Sequence, residues 1–530
     1  MGLKNGDMVY TNTVEQKPVE AKSSIVRAAI KVHPIDDVLL KDPGTIKRSR
    51  NPQFCKHGDV GMCEYCLPLQ PYDTNYLEEN KIKHMSFHAY LKSLIDRGKI
   101  PPSYSPQFIP PLDTPTYKVL HPCPSQSHEP YPNGICSKCQ PSAITLQVQN
   151  FRMVDHVEFE SHAIVNNFLQ FWRSTGTQRC GYLYGRIEVY DKVPLGVKVI
   201  VSAIYEPPQH AGHDSIQLLD EPDRAVDTIS ELLGLQRIGV IYSDLFDDGT
   251  GNGTVICKRH VDSYFLSSAE VIFSAGLQLE HPCKTRYSET GDFGSRFVTC
   301  VISGNEEKGI DIQTYQVSNA AMSMARDGII EASTEPSLMR VCQTSNTNYV
   351  PDVFYKYKNE YNLMVQEAAK PTFPVEYLLV TSTHGFPSEE NPMFNDQSNF
   401  IENRLGVMGN RNINQLKELA TLTSAEARLR FLSDFHLLIF LKESEILDQE
   451  SIALLCLAIK EKSVAHLNQL EQGGSWQTLN MIIQESAAAK GGASTGAGGA
   501  PMDHSWSCRH CTFHNDGGDA CEMCGLPPDN

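Results

Sequence analysis

Ten of the sixteen cysteines fall into three tight clusters, each built on a Cys-x-x-Cys pair. Such a pair places two thiolates on one tight turn, and thiolates with imidazoles are the donor set that zinc prefers. The clearest cluster is Trp506-x-Cys508-x2-Cys511-x9-Cys521-x2-Cys524. Two facing pairs close a tetrahedral Zn–S4 site. A module of about 25 residues has almost no core, so metal binding, on the order of 10–16 kcal/mol, must supply its folding energy. A redox use of these pairs requires a thioredoxin-like βαβ pattern, which does not surround them.

The two other clusters lie near the N-terminus. Cys55-x-His57-x5-Cys63-x2-Cys66 offers three thiolates and one imidazole, a complete Cys3His set. A rival partition takes Cys63, Cys66, His84 and His88; it slightly exceeds usual finger spacing and strands Cys55 and His57. In the second cluster Cys136-x2-Cys139 is joined by Cys123 and one of two histidines, His128 or His121. His128 repeats the Cys-His-Cys-Cys order of the first cluster. Either way four protein ligands close the site, and closed zinc sites are structural rather than catalytic. Three structural Zn2+ ions are therefore expected. The six isolated cysteines, Cys180, Cys257, Cys283, Cys300, Cys342 and Cys456, read as small packing residues.

The elements that must carry these clusters can be read from periodicity. The 530 residues predict three or four domains, and 41 % hydrophobic with 21 % charged residues is ordinary for a globular chain. No apolar run approaches 18 residues, so no transmembrane helix is expected. The N-terminus shows no signal-peptide core. A net charge of −17 repels nucleic-acid backbones unless a basic patch is segregated, so no nucleic-acid partner is expected.

Residues 1–50 read as a polar tail, with a short helix near Ser24–Ile30 and a basic run, Lys47-Arg48-Ser49-Arg50, that is solvated or faces an acidic partner. Residues 51–141 form a twin zinc-finger region. Residues 142–325 alternate helix and strand as an α/β unit. Helical faces are expected over Phe159–Arg173, Ala225–Leu233 and Tyr264–Leu277, and strands over Gly181–Tyr190, Arg237–Ser243, Phe297–Ser303 and Ile310–Val317. Residues 326–486 look mainly helical, with Pro374–Val380 extended. The Ala/Gly/Ser-rich stretch 487–505 is a flexible linker, and 506–530 is the last finger. The fold class is α+β and multidomain.

At this point residues converge on known patterns. Gly181-Tyr182-Leu183-Tyr184-Gly185, Gly239-Val240-Ile241-Tyr242-Ser243-Asp244 and Ser267-Ser268-Ala269-Glu270 resemble the signature blocks of an MPN domain. Active members of that fold are zinc isopeptidases that use a Glu, a His-x-His pair and an Asp. Here Gln178, Tyr242, Asp244 and Glu270 stand at those places, and 22 residues separate Asp244 from Ser267, much more than the active pattern has. The resemblance therefore implies an inactive domain with no catalytic residue, because no imidazole pair can hold a zinc-bound water. The alternative is a zinc-dependent deubiquitinase.

The last cluster is similar to the Npl4-type zinc finger. Ubiquitin-binding members of that type carry a Thr-Phe pair after the second cysteine and an apolar residue before the fourth. Here these are Thr512, Phe513 and Met523. RNA-binding members rely on arginines, and this module holds only Arg509 among several acids.

In order along the chain, these parts and the stretches CKHGDVGMCEYC (55–66), PNGICSKCQPSAITL (132–146), VPDVFY (350–355) and SDFHLLIFL (433–441) resemble the nuclear protein localization protein 4 family. That resemblance implies an adaptor that binds ubiquitin and polyubiquitin. It implies pairing with ubiquitin fusion degradation protein 1 and seating on the hexameric AAA ATPase valosin-containing protein. It implies a cytoplasmic and nuclear protein, reaching the ER and nuclear-envelope membrane only through partners, that serves ER-associated and proteasomal degradation. Family members usually begin with a ubiquitin-like domain. Leu3–Tyr10 is similar to its last strand alone, and weaker ATPase binding is expected in consequence.

Overall fold

The computed structural model describes residues 30–58, 61–98, 112–219, 224–396, 398, 400–404, 411–491, 506–507 and 514–515, the backbone alone for 487–491 and the last two pairs. Its centre is a closed barrel of seven strands. In chain order the elements that position the sites begin with helix α1 (Pro34–Lys41) and helix α2 (Phe87–Asp96). Strand β1 (His156–Phe159), helix α3 (His162–Thr175), β2 (Cys180–Tyr190) and β3 (Gly196–Tyr205) follow. Next come α4 (Arg224–Leu233), β4 (Gln236–Asp244), α5 (Ser268–Glu280), β5 (Val298–Gly304) and β6 (Ile310–Val317). Helix α6 (Asn319–Arg326) precedes β7 (Leu379–Gly385). The chain then runs through α7 (Ala425–Leu432), α8 (Phe435–Glu443), α9 (Gln449–Lys460), α10 (Val464–Glu471) and α11 (Gly474–Gly491).

Around the barrel the order is β5-β6-β7-β1-β3-β2-β4, closed by parallel pairing of β4 with β5. The long β2–β3 hairpin is antiparallel and carries a bulge at Tyr184/Gly185. Gly185 is required there, because a Cβ would stand 1.8 Å from the Ile200 carbonyl oxygen. Gly239 is likewise pressed against the Val298 backbone of β5, 2.6 Å from its oxygen. The glycines of the signature blocks thus serve close strand packing.

Alternation along the strands divides the apolar side chains between faces. Val157, Phe159, Leu183, Val199, Val201, Ile241, Val298 and Ile302 pack with Phe168 and Leu169 of α3. Val240, Tyr242, Val301 and Tyr315 face α5 and α6. Tyr184, Ala203 and Tyr205 share a third core with α4 and with helices α7–α11. Local signals set the helix ends: Ser161 caps α3 and Gly176, at φ 68°, ends it, while Ser267 and Glu270 form a reciprocal capping box on α5.

Several boundaries fall elsewhere than the sequence suggests. The barrel takes its seventh strand from residues 379–385, so the unit expected over 142–325 reaches past 325. Between α6 and β7 the chain holds five short strands and a single 3-10 turn, Val375–Leu378, within the stretch expected as extended, where 326–486 reads as mainly helical; the α-helices of that region begin after residue 410. The expected tail contains α1, docked through Ile35 and Leu39 against Leu195 and Val197. Helix α11 runs to Gly491, into the stretch expected as linker. Residues 24–29, the segment Leu3–Tyr10 and most of the last finger lie outside the described residues. Of the isolated cysteines, Cys180, Cys300 and Cys456 are buried and the other three half-buried. Among the described residues no helix is long and apolar enough to cross a membrane.

Candidate metal centres

Cys55, His57, Cys63 and Cys66 bring one ligand atom each to within 4.8 Å of all the others, and so do Cys123, His128, Cys136 and Cys139. In the first set the Cys63 sulfur lies 3.6 Å from that of Cys55 and 3.8 Å from that of Cys66, and His57 Nε2 is 3.2 Å from Cys66 Sγ. The second set repeats this: Cys123–Cys136 at 3.6 Å, Cys136–Cys139 at 3.8 Å, His128 Nε2–Cys139 at 3.5 Å. A tetrahedron of Zn–S bonds of about 2.3 Å has S···S edges of about 3.8 Å. The donor sets therefore fit a zinc ion each.

The same local backbone builds both. The amides of Cys66 and Leu67 bond to the Cys63 carbonyl, and those of Cys139 and Gln140 to the Cys136 carbonyl. The Cys63 and Cys136 amides each donate to the sulfur three residues on, at 3.3 Å. In each histidine Nδ1 is bonded to a neighbouring carbonyl, Gly58 at 2.9 Å and Glu129 at 2.6 Å, leaving Nε2 for the metal. Hydrogen bonds from the Ser125 hydroxyl, the Lys138 amide and His128 pull the Cys136 thiol down to about 5, which favours the thiolate.

His84 and His88 serve packing instead. His84 is buried with Nδ1 on the Gln149 carbonyl at 2.7 Å. His88 lies on α2 with Nε2 on Asp36 of α1 at 2.9 Å. Neither stands with Cys63 and Cys66, and His121 is not in the second set. Cys508, Cys511, Cys521, Cys524, Thr512, Phe513 and Met523 lie outside the described residues; the flanking pairs Trp506–Ser507 and His514–Asn515 run antiparallel.

Sequence reasoning missed the residues that brace the modules. Arg48 Nε donates to the Leu67 carbonyl at 2.8 Å and its Nη2 to that of Glu64, while Arg50 donates to the His57 carbonyl. The basic run is thus folded onto the first module. The second module leans on the body instead: Tyr131 donates to the Ser345 carbonyl, and Gln140 Nε2 to the Tyr349 hydroxyl at 2.6 Å. A Lys/Arg run beside a Cys cluster signals such caps only when the register of the turn is known.

At the places where active members of the resembled fold carry their zinc and catalytic residues, the side chains here are otherwise engaged. Gln178 is buried, its oxygen accepting from Ser243 Oγ at 2.9 Å and the Leu245 amide at 3.1 Å, its nitrogen donating to the His213 and Leu245 carbonyls. Between Asp244 and Glu270 stands the guanidinium of Arg259, whose side chain is 2 % exposed. It donates to Asp244 Oδ2 at 2.8 Å, to Glu270 Oε1 at 2.6 Å and Oε2 at 3.0 Å, and to the Phe265 carbonyl at 2.7 Å. Burial works to raise the Glu270 pKa, but Arg259 and the Ser267 amide outweigh it and hold the carboxyl below its usual value. Burial lifts the Tyr242 phenol well above its ordinary value, with the Glu270 charge adding to it.

The fold and the two centres define an α+β zinc-binding protein in which two small Cys3His modules accompany a closed barrel. Residues 30–176 match the zinc binding region of the NPL4 family, and residues 179–484 match the NPL4 family itself. Three relatives named nuclear protein localization protein 4 are similar over most of their length. The one from Scheffersomyces stipitis is 45 % identical, covering 92 % of this chain and 88 % of its own. That from Vanderwaltozyma polyspora is 46 % identical over 91 % and 88 %. That from Saccharomyces cerevisiae is 45 % identical over 92 % and 89 %. The chain belongs to the NPL4 family.

Proposed function

We propose that this chain is a non-catalytic adaptor that binds ubiquitin chains. Paired with ubiquitin fusion degradation protein 1, it brings ubiquitylated clients to the valosin-containing AAA unfoldase for proteasomal degradation, including clients at the ER membrane. Membership of the NPL4 family across residues 30–484 carries this reading. The relatives' name supports work in the nucleus. In this reading the two Cys3His modules are rigid contacts for the ATPase ring, since a zinc-closed knuckle presents its loops at little further entropic cost. The barrel and α7–α11 hold the ubiquitin chain.

A third zinc, on Cys508, Cys511, Cys521 and Cys524, folds the last finger. Thr512, Phe513 and Met523 then offer a small apolar patch to ubiquitin. One such patch binds weakly, so affinity comes from several contacts on one chain. The deubiquitinase alternative is opposed by Arg259, which occupies the cleft that a catalytic zinc requires.

The test is a titration of the full chain with ubiquitin chains, beside Phe513→Ala, together with a chain-cleavage assay. Binding without cleavage supports the adaptor. Loss of most binding in the variant assigns recognition to the finger, and unchanged binding assigns it to the barrel and helices. Absence of any binding by the parent, or cleavage by it, overturns the reading.

A further inference from the structure

Asp244 ends β4, Glu270 opens α5, and Arg259 lies in the 245–266 segment between them. Two carboxylates and one carbonyl place four oxygen atoms within 2.6–3.0 Å of one buried guanidinium. The buried Tyr242 hydroxyl beside them finds no hydrogen-bond partner of ordinary geometry. Oxygen donors of this kind, gathered from three chain segments, are what a hard divalent cation takes. We infer that Arg259 is the resident cation of this cleft, its guanidinium standing where a divalent ion would otherwise be held by Asp244 and Glu270.

The consequence is twofold. A half-buried carboxylate pair is costly unless a cation pairs it or one carboxyl takes up a proton. A tethered guanidinium supplies the cation at effectively unlimited local concentration and excludes the metal. Its planar fork also reaches Asp244, Glu270 and the Phe265 carbonyl together, which joins the end of a barrel strand, a helix N-terminus and the inserted segment. Glu270 serves twice here, since it also completes the α5 capping box. The site is thus closed to metal by its own chain and not merely short of ligands. This conclusion does not depend on ubiquitin binding.

The experiment is Mn2+ titration of the full chain followed by electron paramagnetic resonance, with zinc content measured to show that the thiolate centres are intact. Arg259→Ala is expected to bind one further Mn2+ per chain, at least tenfold more tightly than the parent, and Glu270→Gln in the same chain is expected to abolish it. A folded Arg259→Ala variant that gains no Mn2+, or a parent whose Mn2+ binding is lost on Glu270→Gln, overturns the inference. Arg259→Lys keeps the charge but not the fork. It is expected to fold, to exclude Mn2+ and to melt at a lower temperature. A Lys variant that melts with the parent refutes the bridging role, whether or not the Ala variant folds.

Discussion

Glu206 lies beyond the end of β3 with both oxygens turned toward two arginines. Its Oε2 accepts from Arg179 Nε at 2.6 Å and Arg404 Nε at 3.0 Å, and its Oε1 accepts from Arg404 Nη2. All three side chains are 2–3 % exposed. Arg404 and Asn403 belong to the segment that leads from the barrel to the C-terminal helices, and Asn403 Nδ2 also donates to the Glu206 carbonyl. Removing one partner of a buried ion pair costs about 3–5 kcal/mol, because the other charge is left without compensation. Here one carboxylate serves two guanidiniums, so Glu206→Ala is expected at the upper end, about 5 kcal/mol. Glu206→Gln, which keeps one acceptor, is expected near 3 kcal/mol. Arg404→Met leaves Glu206 paired with Arg179 and is expected to cost about 2 kcal/mol. Combined with Glu206→Gln, it should then cost less than the sum by more than the roughly 0.5 kcal/mol scatter of independent sites. Urea unfolding at constant pH measures the stabilities, and hydrogen exchange at residues 400–404 measures release of the segment. A cost below about 1 kcal/mol for Glu206→Ala means that water reaches the guanidiniums, and the argument from burial fails.

Three further outcomes are expected. His84 and His156 are each held by burial at a pKa of about 4, against 6.5 for the free side chain. Folding therefore favours the neutral rings; their contribution is intact above pH 6.5 and lost as pH falls toward 4, by up to about 1.4 kcal/mol per pH unit for each ring. Unfolding curves between pH 7 and 4.5 should show this loss, and His84→Gln should remove one ring's share of it; a parent curve without slope there contradicts the assignment. Cys63→Ser should lower the zinc content by one ion per chain and disorder the first module while the barrel still unfolds cooperatively, whereas an unchanged zinc count would place the ligands elsewhere. Arg48→Ala with Arg50→Ala should speed zinc loss to a chelator from the first centre about 10-fold or more and leave the second unaffected, which absorbance release kinetics would resolve. Equal rates at the first centre in parent and variant would leave the two arginines without a bracing role.

The metal sets were legible because a knuckle is local. Cys63 and Cys66, or Cys136 and Cys139, meet through hydrogen bonds that span three or four residues, so spacing alone carries the geometry. The two histidines were harder. His57 was preferred over His84 and His88 on spacing, and His128 over His121 only because it repeats the order of the first cluster. The long helices and the strands from residue 180 to 317 were legible from period, but the caps Ser161 and Ser267 and the stop Gly176, which set the helix ends, were not read. The strand at 379–385 was not read as part of the barrel. Its residues, Leu379-Val380-Thr381-Ser382-Thr383-His384-Gly385, alternate weakly, and its partners β1 and β6 lie far back in the chain.

By itself the sequence determined what depends on neighbours along the chain: the thiolate knuckles, the helix caps, the amphipathic faces and the glycines that permit close strands. Only the tertiary structure decided where distant charges meet. Arg259 reaches Asp244 across 15 residues and Glu270 across 11, while Arg404 reaches Glu206 across 198. A lone arginine in a polar stretch has the same local signature whether it points to water or into a buried carboxylate. Desolvation distinguishes the two, and desolvation is a property of packing, not of spacing.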